Sequence, residues 1–374
     1  MMDAVLMLIG VLVLATPVAE MIARIWLARG GYFPFVPYMR QRFQLDQEVL
    51  PDLPSPTRLE INSRGERGSE PPNQETDALR ILVAGGSGAE CYLLDQSHAW
   101  PAVAERSLTK DYRDTVHVGN ISRSLLTCAS LAKVLEKCLP RYPKLDLVIT
   151  FVGAADVVSW LEKDTPALVE DENLPLDFLF QQNPETQYRW SVKDCALRRL
   201  AIRLTRRFFH PVEHRESVGR TIARNRDMRA NATHWIDHVP DPAPMVECFE
   251  RNLRRMIDAA QNHGARVMIV RQPWLEREFT EEEKRRLWNF GRGRPYEGEL
   301  DSYYTLPVAH RLLRTLDSVQ TRVAHELGLT EIGLIDQLPM DFDHFYDSFH
   351  FTPKGAECVG QRVAEAIPMA LKST

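Results

Sequence analysis

Short apolar runs alternate with longer amphipathic stretches along most of the chain. The runs are β-branched and have the length of buried strands, and they are Ile81–Ala84, Thr115–Val118, Leu145–Val152, Arg266–Val270 and Ile332–Ile335. Apolar residues recur at helical spacing between them, in Ser124–Cys138, Pro244–His263, Val308–Leu327 and Pro353–Leu371. This alternation predicts an α/β fold in which helices cover both faces of a parallel sheet of mostly five strands.

One interval interrupts the alternation. From about residue 160 to residue 239 no convincing strand pattern appears, and arginine, proline and aromatic residues are frequent. We interpret it as a helical insertion in a domain that covers residues 79–374. Within it, Lys193–Phe209 predicts a basic amphipathic helix, which could be a lid docked on its own domain or a membrane-surface helix. We favour the lid, because docked helices with solvated arginines are the commoner case.

The N-terminal end of the chain is strongly apolar. Residues 1–28 contain the uncharged run Ala4–Ala19, and about 25 residues at about 1.5 Å each would cross a hydrocarbon core of about 30 Å. Asp3 precedes the run and no basic residue does, which argues against a cleaved signal peptide. We therefore predict a single-pass transmembrane anchor and a membrane location.

The side of the membrane stays open. Four arginines follow the apolar run and would favour a cytoplasmic C-terminal part, namely Arg24, Arg29, Arg40 and Arg42. The signal weakens if Arg24 lies within the helix, paired with Glu20 at i, i+4. The next segment, 29–78, turns polar and rich in Pro, Gly, Glu and Arg, which is typical of a linker or of an extended strap over a domain surface.

Composition narrows the range of partners. The chain has 374 residues, 44% of them hydrophobic and 26% charged, which is ordinary globular material. A formal net charge of -5 and the lack of any nucleic-acid-binding motif argue against a nucleic-acid partner. The six cysteines show no CxxC pairing and lie mostly in apolar contexts, so we expect free, buried thiols.

The first strand of the domain ends in a glycine turn that contains a serine. The chain reads RILVAGGSGAECYLLD over Arg80–Asp95, so Ser87 follows the apolar run at once. A phosphate-binding turn is the alternative, but the pattern G-x-G-x-x-G lacks its last glycine here. A serine at the C-terminal end of a parallel strand, with its N–H at a helix N-terminus, is typical of a nucleophile.

A base for this serine is found near the C-terminus, in the sequence DHFYDSFHFTPKG. Asp347 and His350 are three residues apart in a loop that leads into a helix with Thr352 as N-cap. The spacing lets the carboxylate orient the imidazole, so that the other ring nitrogen can take the Ser87 proton. We predict a Ser-His-Asp triad, which requires neither a metal nor an organic cofactor.

Two other interpretations of this segment are open. Asp347 could cap a turn with His350 packed beneath it. Acidic residues and histidines crowd the segment and could bind a metal instead, namely Asp341, Asp343, His344, Asp347 and His350. We prefer the triad because it also explains Ser87.

These residues resemble the motifs of the SGNH/GDSL hydrolases, a family of serine esterases and lipases. LVAGGS resembles the first block of the family, with Gly86 where the family has Asp, and FYDSFHFTPKG resembles its last block, D-x-x-H. NSRGERG, GGSGAECYLLD, RQPWL and FYDSFHF together are similar to a membrane-anchored bacterial subgroup. The resemblance covers about residue 60 to the C-terminus and implies a flavodoxin-like three-layer sandwich.

Two positions depart from the family pattern. The third block usually reads G-x-N-D, and its Asn donates to the oxyanion, whereas the sequence GAAD that begins at Gly153 has Ala155 at that position. The second block usually offers a glycine N–H, where VGNISRSLL has Arg123 or Leu125, depending on the alignment. Asn120, at the end of the second strand, is a candidate substitute donor.

The sequence thus predicts a serine hydrolase that cleaves carboxylic esters, with O-acylated saccharides or lipids as the substrates that the resemblance implies. The alternative is an SGNH-like binding protein that keeps the pocket and has lost efficient chemistry, as Ala155 suggests. A metal-dependent hydrolase centred on Asp343, His344 and His350 is the third interpretation.

Overall fold

The computed structural model describes residues 15–27, 30–111, 115–169, 174–185, 195–206, 212–215 and 217–372. The strands are β1 (Arg40–Gln44), β2 (Thr57–Glu60), β3 (Ala78–Gly85), β4 (Thr115–Asn120), β5 (Leu147–Phe151), β6 (Val212–Arg215), β7 (His234–Ile236), β8 (Arg266–Arg271), β9 (Ser302–Tyr304) and β10 (Thr330–Gly333). The helices are α1 (15–27), α2 (Ser87–Glu90), α3 (Trp100–Asp111), α4 (Cys128–Cys138), α5 (Ala154–Glu162), α6 (Leu176–Leu179), α7 (Ala196–Arg206), α8 (Ser217–Ala230), α9 (Ala243–Asn262), α10 (Glu281–Lys284), α11 (Leu306–Glu326) and α12 (Pro353–Ala370).

Five parallel strands form the central sheet, in the order β10-β8-β5-β3-β4. Counted along the chain, this is the order 2-1-3-4-5 of flavodoxin-like folds. The predicted five-stranded parallel sheet is therefore confirmed. β3 lies between β4 and β5, where the winding of the chain reverses, and open α/β sheets bind their ligands beyond the carboxyl ends of the strands at such a point.

Successive residues of β3 enter two different cores, one on each face of the sheet. Leu82 and Ala84 pack into a core that also contains apolar residues of α4, α9 and α11. Ile81 and Val83 pack into a second core with α3 and α12. Because side chains alternate across a strand, a nearly continuous apolar run is what a sheet covered on both faces requires. The predicted three-layer arrangement is confirmed.

The segment that composition suggests as a linker or strap contains two strands and several buried polar side chains. β1 pairs with β2 and with β6 in a small separate sheet. Farther along, the Arg67 N–H donates to the Asn120 carbonyl at 2.8 Å, on the free side of the edge strand β4. Arg67 thus pairs the free edge of β4 at its last residue, and the Glu105 carboxylate accepts from the Val118 N–H farther along the same strand at 2.7 Å.

A buried carboxylate joins this segment to β4. Glu66 is 1% exposed, accepts a hydrogen bond from Asn62 Nδ2 at 2.8 Å, and lies 3.2 Å from His117 Nε2. Burial alone would raise the pKa of Glu66, but the charge and hydrogen bond of His117 and the amide of Asn62 hold it at about 2. A Cβ at Gly119 would lie 2.6 Å from the Glu66 carboxyl carbon. The Glu66 carboxylate therefore fits beside β4 only because residue 119 is a glycine.

The segment between residues 160 and 239 differs from the prediction, which found no strand there. β6 and β7 lie within it, and they pair with β1 and β9 outside the central sheet. Both are short and β6 is polar, so neither produces the apolar run that marks a strand of the main sheet.

The predicted helix Lys193–Phe209 corresponds to α7, and its two ends lie outside the described residues. Its packing partner is α1: the Glu20 carboxylate accepts from the N–H groups of Ala196 at 2.7 Å and Leu197 at 2.9 Å, and Ala23 packs on Ala196. In the described part of α7 no residue lines the cavity beside Ser87; of the described residues between 160 and 239, those that do are Glu162 and three in or just before α6, Leu174, Pro175 and Phe178.

The predicted transmembrane anchor at residues 1–28 is wrong. Among the described residues, which begin at 15, no helix is both long and apolar enough to cross a membrane. α1 extends over 15–27, a length of about 20 Å at about 1.5 Å per residue. It carries an ion pair between Arg24 and Glu20 at 2.7 Å, and Glu20 also binds α7. Residues 1–14 and 28 lie outside the described residues. The predicted membrane location and membrane partner lose their support with the anchor.

The six cysteines are free, as predicted, but their burial differs. Cys91, Cys128, Cys138 and Cys248 are buried, Cys358 is half-buried, and Cys195 is exposed just before α7. The prediction of buried thiols is wrong for Cys195, because that position precedes a surface helix rather than belonging to a core.

We expect Glu66→Gln to lower the free energy of unfolding by about 3 kcal/mol, because it leaves the buried His117 site without its carboxylate. Urea unfolding of this variant and of Glu70→Gln, which alters an exposed carboxylate of the same segment, provides the measurement and its control. Equal unfolding midpoints for the two variants would contradict the structural role of Glu66.

Candidate active site

The glycines of the serine turn allow close packing around it. α2 begins with Ser87, one residue after the end of β3, and it is followed by Cys91, which adopts the left-handed conformation with φ 52°. A Cβ at Gly85 would lie 2.5 Å from the Phe151 carbonyl oxygen, and one at Gly88 would lie 2.9 Å from Gln272 Nε2. Gly85 therefore excludes a side chain, whereas one at Gly88 would require Gln272 and Phe151 to shift, and the turn brings Ser87 to the carboxyl end of the sheet.

Ser87, His350 and Asp347 lie in one hydrogen-bonded row. His350 Nε2 is 2.7 Å from Ser87 Oγ, and His350 Nδ1 is 2.6 Å from Asp347 Oδ2. The two partners of the serine come from the loop before α12, whose N-cap Thr352 accepts from the Gly355 N–H. The row has the geometry in which a histidine can accept a serine proton while a carboxylate orients the ring.

Asp347 is held as an ionised acceptor in a fully buried position. Its Oδ1 accepts from the N–H groups of Phe349 at 3.0 Å and His350 at 2.9 Å, so both oxygens are occupied. Burial alone would raise the pKa of Asp347, but the charge of His350 and these hydrogen bonds keep it below its ordinary value. Because the same loop supplies carboxylate, backbone donors and imidazole, the orientation of the ring is fixed locally.

Aromatic rings and one arginine complete the surroundings of the imidazole. Trp288 and Tyr346 lie nearly parallel to the His350 ring, at centroid distances of 6.2 Å and 5.5 Å. Arg226 of α8 donates to the Tyr346 carbonyl at 3.4 Å and so contacts the loop that carries Asp347. Tyr346 belongs to the same loop as Asp347, whereas the sequence gives no local signal for Trp288 and Arg226, because both reach the site from distant parts of the chain.

Two buried ionisable side chains, Arg67 and Glu90, form hydrogen bonds that hold the serine turn in place. Arg67 donates to the carbonyls of Glu90, Cys91 at 2.6 Å and Leu94 at 2.7 Å. The Glu90 carboxylate accepts from both the N–H and the hydroxyl of Ser124, in the loop after β4. Burial raises the pKa of Glu90 although Ser124 donates to it. The turn is thereby tied to the N-terminal segment on one side and to the next loop on the other.

Asn120, predicted as a substitute oxyanion donor, is 1% exposed and is used elsewhere. Its Nδ2 donates to the Ala89 carbonyl at 2.8 Å, and its Oδ1 accepts from the Ser122 N–H at 2.9 Å. The structure therefore places the Asn120 side chain beneath the serine turn and not in the cavity. A prediction from sequence could locate the strand end but not the direction in which the amide points.

The loop after β4 distinguishes the two alignments of the second block. The Arg123 N–H donates to the Gly85 carbonyl at 3.1 Å, and its guanidinium donates to the Phe178 carbonyl at 2.7 Å, so Arg123 is engaged at both ends. Leu125 has φ 69°, a conformation that favours glycine, and it lines the cavity. Of the two candidates, Leu125 is therefore the residue with the backbone conformation that a glycine of the second block would adopt.

The loop after β5 contributes Ala155. Gly153 precedes α5 with φ 124°, which a side chain would disfavour, and Ala155 lines the cavity in the first turn of α5. Asp156 is turned away from Ser87, and its Oδ1 accepts from the Cys128 N–H at 2.9 Å. At this edge of the cavity a methyl group therefore stands where the family pattern has an amide.

A cavity of about 390 Å³ opens beside Ser87 and His350. Its walls are largely apolar and aromatic, and they include Leu125, Val158, Phe178, Trp288, Phe290 and Tyr296. Glu162 and Arg294 are its charged lining residues among those described. Burial raises the pKa of Glu162 to about 7, although Arg294 opposes this shift, so the carboxyl is partly protonated near neutral pH.

The residues of the metal interpretation are drawn into separate pairs. His344 Nδ1 is 2.6 Å from Asp341 Oδ1, and Lys354 Nζ is 3.0 Å from Asp343 Oδ2, while His350 faces Asp347. Within the described ranges, no three such side chains converge in an arrangement that could hold a metal ion. The acidic residues and histidines that are close in this part of the sequence therefore do not form a metal-binding cluster in the described structure.

Comparisons with known proteins find similar solved structures, whereas no protein-family model and no curated protein sequence matches. The chain is similar to an aryl esterase of M. smegmatis, with 12% identity over 78% of this chain and 99% of that chain and a TM-score of 0.43. It is also similar to a carbohydrate acetylesterase from Sinorhizobium meliloti (10%, 78% and 99%, 0.42) and to a lipase/acylhydrolase from Enterococcus faecalis (16%, 79% and 98%, 0.42).

We expect Leu125→Gly to stabilise the protein by about 1 kcal/mol, because a positive φ costs a leucine more than a glycine and the side chain is 56% exposed. Leu168→Gly is the matched control, since Leu168 is 73% exposed and has no positive φ. Urea unfolding gives both values. A loss of stability in Leu125→Gly as large as that in the control would contradict the strain.

Proposed function

We propose that the protein is a serine hydrolase of carboxylic esters, as the resemblance to the SGNH/GDSL hydrolases implies. The observation that carries the proposal is the row of hydrogen bonds from Ser87 Oγ to His350 Nε2 at 2.7 Å and from His350 Nδ1 to Asp347 at 2.6 Å. A serine is a weak nucleophile without a base within hydrogen-bond reach, and this row supplies one.

In the proposed reaction, Ser87 Oγ attacks the ester carbonyl carbon while His350 Nε2 takes its proton. Asp347 stabilises the imidazolium that forms and is not itself protonated. His350 then donates the proton to the leaving alcohol oxygen, and an acyl-serine remains. Water attacks the acyl carbon with His350 as base, which releases the carboxylic acid and restores Ser87.

The oxyanion would be stabilised by backbone donors. The Ser87 N–H belongs to the first turn of α2, and the Leu125 N–H belongs to the loop that faces it across the cavity. Ala155 offers no side-chain donor. Loss of one such donor typically lowers turnover by about 10² to 10³, so we propose a slow hydrolase.

The cavity supports an ester whose non-reacting part is larger than a short acyl group. Its aromatic walls suit either a sugar ring or a lipid chain, and the pair Glu162 and Arg294 suits hydroxyl groups. We therefore propose O-acylated saccharides or lipids as the substrate class.

A fluorophosphonate probe tests the proposal, because it forms a covalent bond only with an activated serine. We expect labelling of the wild type, no labelling of Ser87→Ala, and labelling reduced by about 10⁴ in His350→Gln. Ser318→Ala, on the outer face of α11, is the control and should label normally. If the folded wild type is not labelled, the hydrolase proposal is wrong and the alternative, an SGNH-like binding protein, is favoured. Two observations support that alternative: the Arg123 N–H already donates to a backbone carbonyl, and Ala155 has no side-chain donor.

Ala155→Asn tests the proposed oxyanion hole. If the missing amide limits turnover, the variant should raise kcat by about 10-fold or more with little change in KM, because the new donor acts mainly in the transition state. Hydrolysis of p-nitrophenyl acetate gives both constants. Ser159→Asn, one turn farther along α5, is the control. An unchanged or lower kcat in Ala155→Asn would contradict the assignment of this position.

A further inference from the structure

A second cavity, of about 500 Å³, lies between α8, α10 and the start of α11. It shares no lining residue with the cavity beside Ser87 among the described residues. Its wall includes Arg229 from the end of α8, Trp235 from β7, Lys284 and Arg285 from α10 and the residue after it, and the first residues of α11. The proposed hydrolysis uses none of these groups.

Arg229 is the unusual member of this wall. It is only 4% exposed, and its Nε has no hydrogen-bond acceptor among the residues that the structure describes. Its guanidinium lies 5.1 Å from the centroid of the Trp235 ring, and in the described ranges no carboxylate pairs with it. Burial lowers the pKa of Arg229 to about 10, so it is still charged at neutral pH. A buried cation without an anion is costly, and this cost is removed when an anion binds.

The rest of the wall is also electropositive. Lys284 and Arg285 add two positive charges, and the acidic side chain of the described lining is Glu281, which pairs with Lys284 at 2.6 Å. The 21-residue helix α11 begins at this cavity with Thr305 as N-cap, and the Thr305 side chain makes no cap hydrogen bond. The N-terminal end of a helix favours negative charge. The charges of this wall thus leave an excess of two positive charges.

We propose that this cavity is a binding site for the phosphate group of a small phosphomonoester. A dianionic phosphate would balance the two excess charges, and the planar guanidinium of Arg229 can donate to two of its oxygens. Trp235 is 47% exposed and offers its ring to the organic part of the ligand. The cavity is larger than a free phosphate ion needs, which favours an organic phosphate over the inorganic ion.

Isothermal titration of the full chain with phenyl phosphate tests the proposal. Phenol, which has the same ring without the charge, should not bind, and benzoate, with a single charge, should bind more weakly. We expect Arg229→Met to weaken phenyl phosphate binding by about tenfold or more, because it removes the bidentate donor. Arg220→Met, an exposed arginine on the same helix, should bind as the wild type does.

A second measurement separates a binding role from a structural one. Without ligand, Arg229→Met should melt at the same temperature as the wild type or higher, because it replaces an unpaired buried charge by an apolar side chain. Phenyl phosphate should raise the melting temperature of the wild type and not that of the variant. If Arg229→Met does not fold, Arg285→Gln, an exposed position, provides the same comparison.

The proposal is overturned if phenyl phosphate does not bind at millimolar concentration, or if Arg229→Met or its substitute Arg285→Gln binds as tightly as the wild type. Ser87→Ala must retain the binding, since Ser87 does not line this cavity. Failure of the proposed hydrolase and failure of this site are therefore separate results.

Discussion

The carbonyl groups of Glu90, Cys91 and Leu94 all accept hydrogen bonds from one buried guanidinium, that of Arg67. A charge in this position loses its hydration, and burial lowers the pKa of Arg67, so its donors must be satisfied by the protein. The carbonyls that satisfy them belong to the residues directly after the serine turn. The position of Ser87 therefore depends on a segment that lies before the central sheet in the sequence.

Three residues with strained backbone lie around the same turn and its cavity. Cys91, Leu125 and Phe290 have positive φ although none of them is glycine, and two of them line the cavity. Such conformations persist only where the surroundings hold them. Here the Arg67 bonds, the bond of Ser124 to Glu90, and the pairing of Tyr304 N–H with the Phe290 carbonyl at 2.9 Å provide that restraint.

Apolar runs, turn residues and short spacings in the sequence predicted the strands of the central sheet and the candidate site residues that lie next to them. The five strands followed from apolar runs, and Ser87 with Asp347 and His350 followed from a turn and a three-residue spacing. The side-chain amide of Asn120 could not be assigned in this way, because its direction is decided by the Ala89 carbonyl of another element. The short strands β6 and β7 pair outside the central sheet, and α1 docks on α7, so their roles depend on tertiary contacts that no sequence pattern encodes.

The partners of Arg67 and Glu66 also bear on where the folding unit begins. Strand β3 is the first strand of the central sheet along the chain, and the sequence pattern alone places the domain boundary just before it. Such a cut would remove the carboxylate that faces His117, uncover the side of β4, and leave the carbonyls after Ser87 without their donor. A fragment that begins after Arg67 thus lacks the donors to these carbonyls, and residues 61–67 belong to the same packed unit as the serine turn.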